Sequence, residues 1–265
     1  MHRVIRLTTL EFWNLLSFRV LLASTLVMPV LAAVFASLFM LDLGKVYIDG
    51  IFTFSHLLAV IFLLLLAVPF LAQDLKNRFY FMLVGQSISR PQYILSRFIG
   101  ISLMFLLLML CLAISSTLIA SLITHLWEGY AEDFVPTFII SGVMLYAIEY
   151  ISMIAIAMLF FSWASGENEL LVMVFLVWVI AWVIPPVLAA TQNPEVSQTM
   201  PGWLLFAISS VYQLLPHLNG HQISLMISHG DAVAISQALF FILEHVSYAI
   251  LALIVSVLLF SRQDL

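Results

Sequence analysis

Apolar residues in this chain gather into long blocks separated by short polar joints, with none of the period-two alternation of surface strands. Val20 to Leu41 holds 22 consecutive residues without a charge, and Phe98 to Thr124 holds 27. Ile51–Ala72, Phe134–Trp163, Leu170–Thr191 and Gln237–Phe260 complete a set of six blocks, of which Phe134–Trp163 carries Glu149 and Gln237–Phe260 carries Glu244 beside His245. A hydrocarbon core about 30 Å thick needs about 20 apolar residues per helix, so each block predicts a transmembrane helix. Backbone groups inside lipid must bond within their own segment, which favours a helical bundle over an open sheet.

Two shorter stretches stand outside the six. Met1 to Arg19 mixes Arg3, Arg6 and Glu11 with an apolar face bearing Trp13, the pattern of a helix lying in the membrane interface. A cleavable leader is the rival reading, but the first apolar run starts only at Val20 and no Ala-x-Ala site follows a short core. Trp203 to Leu215 is apolar, too short to span and bounded by Pro201 and Pro216, which predicts a re-entrant or interfacial element before the sixth span. The expected fold is thus an all-α integral membrane protein with one transmembrane domain over residues 1–265.

Composition supports this reading. The chain is 64% hydrophobic and only 9% charged, against about 25% charged in soluble domains. Its net charge of −5 offers no footing for nucleic acid. The single cysteine, Cys111, lies within an apolar run and reads as a small core residue.

The distribution of charge carries more than its sum. In a six-span reading, Arg3, Arg6, Arg19, Lys76, Arg78, Arg90, Arg97 and Arg262 fall on the side of the termini, and only Lys45 falls opposite. The positive-inside rule then places both termini and the Gln73–Arg97 loop in the cytoplasm, with the acidic joints outside. No nucleotide-binding Gly-x-x-x-x-Gly-Lys-Ser/Thr pattern is present, so catalysis is not expected of this chain.

Gln73 to Arg97 holds four of the nine Lys and Arg residues between the second and third apolar blocks. Its run Ser87-Ile88-Ser89-Arg90, with Pro91 and Tyr93 ahead of Arg97 and Gly100, resembles the loop after the second span of ABC-2-type ABC transporter permeases. Ser87 stands where that family often has proline. The closing Phe260-Ser261-Arg262-Gln263-Asp264-Leu265 resembles the family's final F-x-x-R/K-D-L pattern, with Gln263 departing at the basic position. The resemblance implies a cytoplasmic coupling helix between spans 2 and 3, expected over Asp74–Val84, on which a separate ATPase docks. Asp74, Lys76, Arg78, Phe79, Tyr80, Ser89, Arg90 and Tyr93 are the coupling candidates. It further implies a second permease chain, a homodimer, in the bacterial inner membrane, with surrounding lipid and, in some relatives, a periplasmic partner. ATP and Mg belong to the partner ATPase, and no cofactor is expected on this chain. An ordinary cytoplasmic loop is also basic, through topology alone, and its aromatics also serve as interfacial anchors.

Ionisable residues inside spans are the remaining candidates. Glu149, Glu244 and His245 lie at middle depth by residue count, where such groups usually face a bundle interior or a wet path. With Trp203 they are the substrate-path or gate candidates, and matching depth suggests a direct Glu149–His245 pair. Interhelical hydrogen bonding is the plainer role. His217 and His221 share metal-ligand spacing, but Asn219-Gly220 between them breaks a helix, so with His229 and Asp231 they read as an exposed polar loop. His56 and His245 are the mid-span histidines on which a haem-binding, quinone-linked subunit would rest. A proton-coupled secondary transporter using Glu149 and Glu244 is the other alternative to an exporter permease.

Overall fold

The computed structural model describes residues 1–38, 43–77, 88–126, 136–191, 200–220, 223–224 and 235–262. Among them there is helix and no strand. Eight helices follow in order: α1 (His2–Asn14), α2 (Leu16–Ala36), α3 (Leu43–Lys76), α4 (Arg90–Leu126), α5 (Thr137–Phe161), α6 (Glu167–Thr191), α7 (Gly202–Leu214) and α8 (Ile235–Arg262). Six of these, all but α1 and α7, are long and apolar enough to cross a membrane.

The six match the six apolar blocks; five of the helices begin before their blocks, and α5 lies within its own. α3 begins at Leu43 rather than Ile51, because Tyr47 and Ile48 are buried and only single glycines interrupt the pattern. α4 begins at Arg90 rather than Phe98. The Ser89 backbone N–H donates to Gln92 Oε1 across its first turn, half of a capping box. At 37 residues α4 is about 55 Å long, well beyond a hydrocarbon core of about 30 Å, so its first turns project past the lipid. α3 contains one π-helical turn, Phe62–Ala67, whose extra residue per turn shifts the facing of the side chains that follow it.

α5 is the centre of the bundle, with 72% of its apolar window buried, against 17% for α2, α6 and α8. It packs on α8, α4 and α3. Ala147, Ala155 and Ala157 are fully buried along it, small side chains that let neighbouring backbones approach closely. Hydroxyls stitch the same seams. Ser256 Oγ on α8 lies 2.5 Å from Ser162 Oγ and donates to the Met158 carbonyl of α5. Tyr47 OH on α3 donates to the Ser116 carbonyl of α4 at 2.9 Å. The peripheral helices expose large apolar side chains outward, among them Leu26, Phe175 and Leu251, as a lipid-facing surface does.

α1 is held against α4 by a stripe of Val4, Thr8 and Phe12, four residues apart and therefore on one helical face. Phe12 is fully buried among Phe18, Phe62 and Phe70. Leu15 is extended between α1 and α2 and sets the angle between them.

Candidate functional site

Met1, the end of α3, the starts of α4 and α6 and the end of α8 meet at one end of the bundle. Ser96 Oγ donates to the Met1 carbonyl, Arg90 Nη1 donates to the carbonyls of Phe260 and Ser261, and Lys76 pairs with Glu167 at 3.1 Å.

Arg97 is the hub of this end. Its side chain is fully buried, and it sits eight residues into α4. Nη2 donates to Asp74 Oδ1 at 3.0 Å, while Nε lies 2.9 Å from Asp74 Oδ2 as an ion-pair contact rather than an aligned hydrogen bond. Nη1 donates to Glu11 Oε2 at 2.7 Å and to Thr8 Oγ1 at 2.8 Å. Tyr93 OH donates to Asp74 Oδ2 at 2.6 Å. The guanidinium also lies over the Phe70 ring, 4.8 Å from its centroid. One cation therefore joins α1, α3 and α4 through two carboxylates, a hydroxyl and a ring. Only guanidinium has the planar fork for this; a lysine ammonium is a single point. Gly100, one turn further along α4, admits the close approach: a Cβ there would collide with the Thr8 side chain.

The coupling candidates divide. Asp74 and Tyr93 turn inward into the Arg97 cluster, and Tyr93 is wholly buried. Lys76 is exposed on its bridge to Glu167, Ser89 is exposed at the start of α4, and Arg90 caps the last carbonyls of α8. Arg78, Phe79 and Tyr80, and most of the expected coupling helix over 74–84, lie outside the described residues; Asp74–Lys76 are the last turn of α3.

A second polar cluster lies deep in the bundle, away from this end. Glu149 is the thirteenth of the 25 residues of α5 and is 1% exposed. Its Oε2 accepts the Gly220 backbone N–H at 2.8 Å, and Ser224 Oγ donates to the Gly142 carbonyl at 3.3 Å. The stretch after α7 therefore enters the bundle, meeting the middle of α5 at Gly220 and its second turn at Ser224. Pro216, Leu218, Gly220, Ile223 and Ser224 are all buried. The backbone is non-helical over 215–219 and helical at Gly220, Ile223 and Ser224, with the Ile223 N–H on the Asn219 carbonyl at 3.2 Å; non-helical backbone at such depth occurs where protein covers it or it lines a cavity. Gly220 fits because a Cβ there would meet the Glu149 carboxylate and the Phe241 ring.

Glu244 holds the other end of the same stretch. It accepts the His217 backbone N–H at 3.2 Å and meets His217 Nδ1 at 2.5 Å. His217 in turn stacks on Tyr212. A cleft beside it is lined by Ala181, Ile184, Pro185, Tyr212 and Pro216. His245 is buried, with Nδ1 2.9 Å from Ser152 Oγ and its ring against Phe241.

The expected direct pair of Glu149 with His245 is not what forms. Each side chain has its own partner, Gly220 and Ser152, and the two are linked only through Ser152, whose hydroxyl also donates to the Glu149 carbonyl at 2.6 Å. Trp203 is 71% exposed at the start of α7. His56 lies against Tyr146 and Tyr150, with Nδ1 3.3 Å from the Tyr150 hydroxyl. Among the described residues no three His, Cys, Asp or Glu gather as metal ligands, and His221, His229 and Asp231 lie outside them.

Sequence reasoning did not single out Arg97, Glu11, Thr8 or Gly220. The available signal was spacing: Arg97 and Gly100 are one turn apart, as are Thr8 and Glu11, so each pair presents one face.

The class that the fold and these clusters define is an all-helical bundle with six helices of membrane-crossing length and apolarity, charge-braced at one end and threaded by irregular backbone within. No family model and no characterised protein matches the sequence.

Proposed function

We propose that this chain is the permease subunit of an ATP-driven ABC-2-type exporter. It works as a homodimer in the bacterial cytoplasmic membrane, with both termini in the cytoplasm. Separate ATPase subunits dock on the 73–97 connection and drive a hydrophobic or amphipathic substrate outward.

The observation that carries this reading is the Arg97 cluster. A chain that borrows its energy needs a stiff element between the docking surface and the bundle, since a compliant loop would absorb the motion. The connection from α3 to α4 is flanked by Asp74, in the last turn of α3, and Arg97, in the first turns of α4; these two residues are bonded to each other, and Arg97 is bonded to α1. A push on the connection is delivered to three helices at once. The sequence resemblance at Ser87–Tyr93 and Phe260–Leu265 and the charge asymmetry support the same assignment and orientation.

Purification of the chain with the ATPase encoded beside it tests the reading. A stable complex is expected whose ATP hydrolysis falls when Phe79 and Tyr80 are both changed to Ala. A chain that purifies without any ATPase, or hydrolysis indifferent to changes over Phe79–Arg90, overturns it.

A further inference from the structure

We propose that the exposed face of α1 is a docking surface for anionic phospholipid. Headgroup phosphates meet Arg3, Arg6 and Arg19, and Leu10 and Trp13 sit among the upper acyl chains. The inference goes beyond the exporter reading and does not rest on it.

The periodicity of α1 separates two faces. Val4, Thr8 and Phe12 turn inward, and Glu11 on their flank reaches Arg97. Arg3, Arg6, Leu10 and Trp13, spaced by three, four and three residues, fall on the opposite side of a 3.6-residue helix, and all four are exposed. A surface helix of a soluble domain keeps its outer face polar. Here half of that face is apolar, with Leu10 50% and Trp13 47% exposed.

The charge of this region is one-sided. From Met1 to Leu41 the charged residues are three arginines and Glu11. Glu11 is taken by Arg97 behind the helix, so it does not neutralise the exposed face. Among the described residues the Arg3 and Arg6 side chains have no hydrogen-bond or ion-pair partner. Arg19 is exposed too, and its Nε donates to the Trp13 carbonyl at 2.8 Å, which brings a third guanidinium back to the end of α1.

The occupant follows from what adjoins the face. Only Leu15 separates α1 from α2, a helix of membrane-crossing length whose first turns expose Leu16 and Val20. Leu10 and Trp13 continue that lipid-facing surface, and the arginines follow on its polar side. Tryptophan between hydrocarbon and basic residues is the arrangement of a helix in a membrane interface, where anionic lipid adds electrostatic attraction. An acidic protein would also suit the arginines, but covering the whole face would draw its apolar half out of the membrane. On lipid, α1 is gripped from both sides, by Arg97 behind and by phosphates in front.

The test uses the full chain in nanodiscs of phosphatidylcholine and phosphatidylglycerol at four to one. In a Cys111→Ser background, Leu10→Cys carries a fluorophore. Dibrominated acyl chains are placed either on the phosphatidylglycerol or on an equal amount of the phosphatidylcholine, and the two degrees of quenching are compared. Beside α1 the ratio of phosphatidylglycerol to phosphatidylcholine is expected to exceed the bulk ratio about fivefold, the factor for about 1 kcal/mol per arginine near an anionic surface. Arg3→Gln with Arg6→Gln, at positions without a protein partner, is expected to remove most of the excess, and Arg3→Lys with Arg6→Lys to keep it. Salt at about 1 M, where charges are screened within about 3 Å, is expected to remove it as well. Equal quenching by the two brominated lipids in the parent, the outcome if a protein takes this face, overturns the proposal. An excess as large in the double glutamine variant overturns it too.

Discussion

The Arg97 cluster and the Glu149–Glu244 cluster are both buried, both built on carboxylates, and opposite in kind. At the first, a fixed cation is bonded to two carboxylates on two other helices, and a tyrosine fills a remaining acceptor. At the second, the carboxylates have no lysine or arginine partner among the described residues and are held by one short stretch, Glu149 by the Gly220 backbone N–H and Glu244 by the backbone N–H and ring of His217. A buried charge paired to a buried charge is costly to separate, because either partner left alone is a bare ion in a poor solvent. A carboxylate holding a backbone N–H gives up one hydrogen bond and accepts another with little net change. The first arrangement suits a joint that must not yield; the second suits one that opens and closes.

Substitutions grade this contrast. Arg97→Ala leaves Asp74 buried without its cation and is expected to cost about 3–5 kcal/mol, read as loss of monodisperse protein or a collapse of the thermal midpoint in detergent. Arg97→Lys recovers only part, since an ammonium does not reach Asp74, Glu11 and Thr8 together. If either variant is as stable as the parent, the brace is not one.

Gly100→Ala and Gly220→Ala compare the two sites with one methyl group each. At Gly100 the methyl strikes Thr8 and pushes α1 from α4, an overpacking cost of about 1–3 kcal/mol in thermal stability. At Gly220 it strikes the Glu149 carboxylate. There the stretch is expected to lift, so that a cysteine placed at Leu218 becomes reactive while the thermal midpoint moves less than in Gly100→Ala. The reverse order would erase the distinction between the two sites.

Tyr93→Phe removes one hydrogen bond to an ionised group and leaves the ring packed on Phe260 and Phe161, for an expected loss of about 1.5–3 kcal/mol by thermal unfolding. Smallest is Lys76→Ala. Its bridge to Glu167 is exposed on both sides, and a change within about 1 kcal/mol is expected.

The six spans were legible because lipid imposes a length and a composition that few residues violate. Their ends were not, since polar residues such as Lys45 and Arg97 read as loop when their partners are unknown. Arg97 is tolerated deep in a helix only because Asp74, 23 residues earlier, and Glu11, 86 residues earlier, arrive beside it. The depth of Glu149, Glu244 and His245 was also visible, but depth says nothing about azimuth around a helix. The partners of the two carboxylates came from the His217–Gly220 stretch, whose Asn-Gly pair reads as a surface loop and is instead drawn into the bundle, and that of His245 is Ser152 of α5.

Arg90 joins residues made far apart in time. Its guanidinium is capped by the carbonyls of Phe260 and Ser261, so this tie between the start of α4 and the end of α8 is made only after almost the whole chain has been synthesised. The start of α4 is therefore tied down last, although it is translated in about the first third of the chain. A nascent chain lacking its sixth long helix lacks this tie, so the start of α4 takes its finished setting only once α8 has been made.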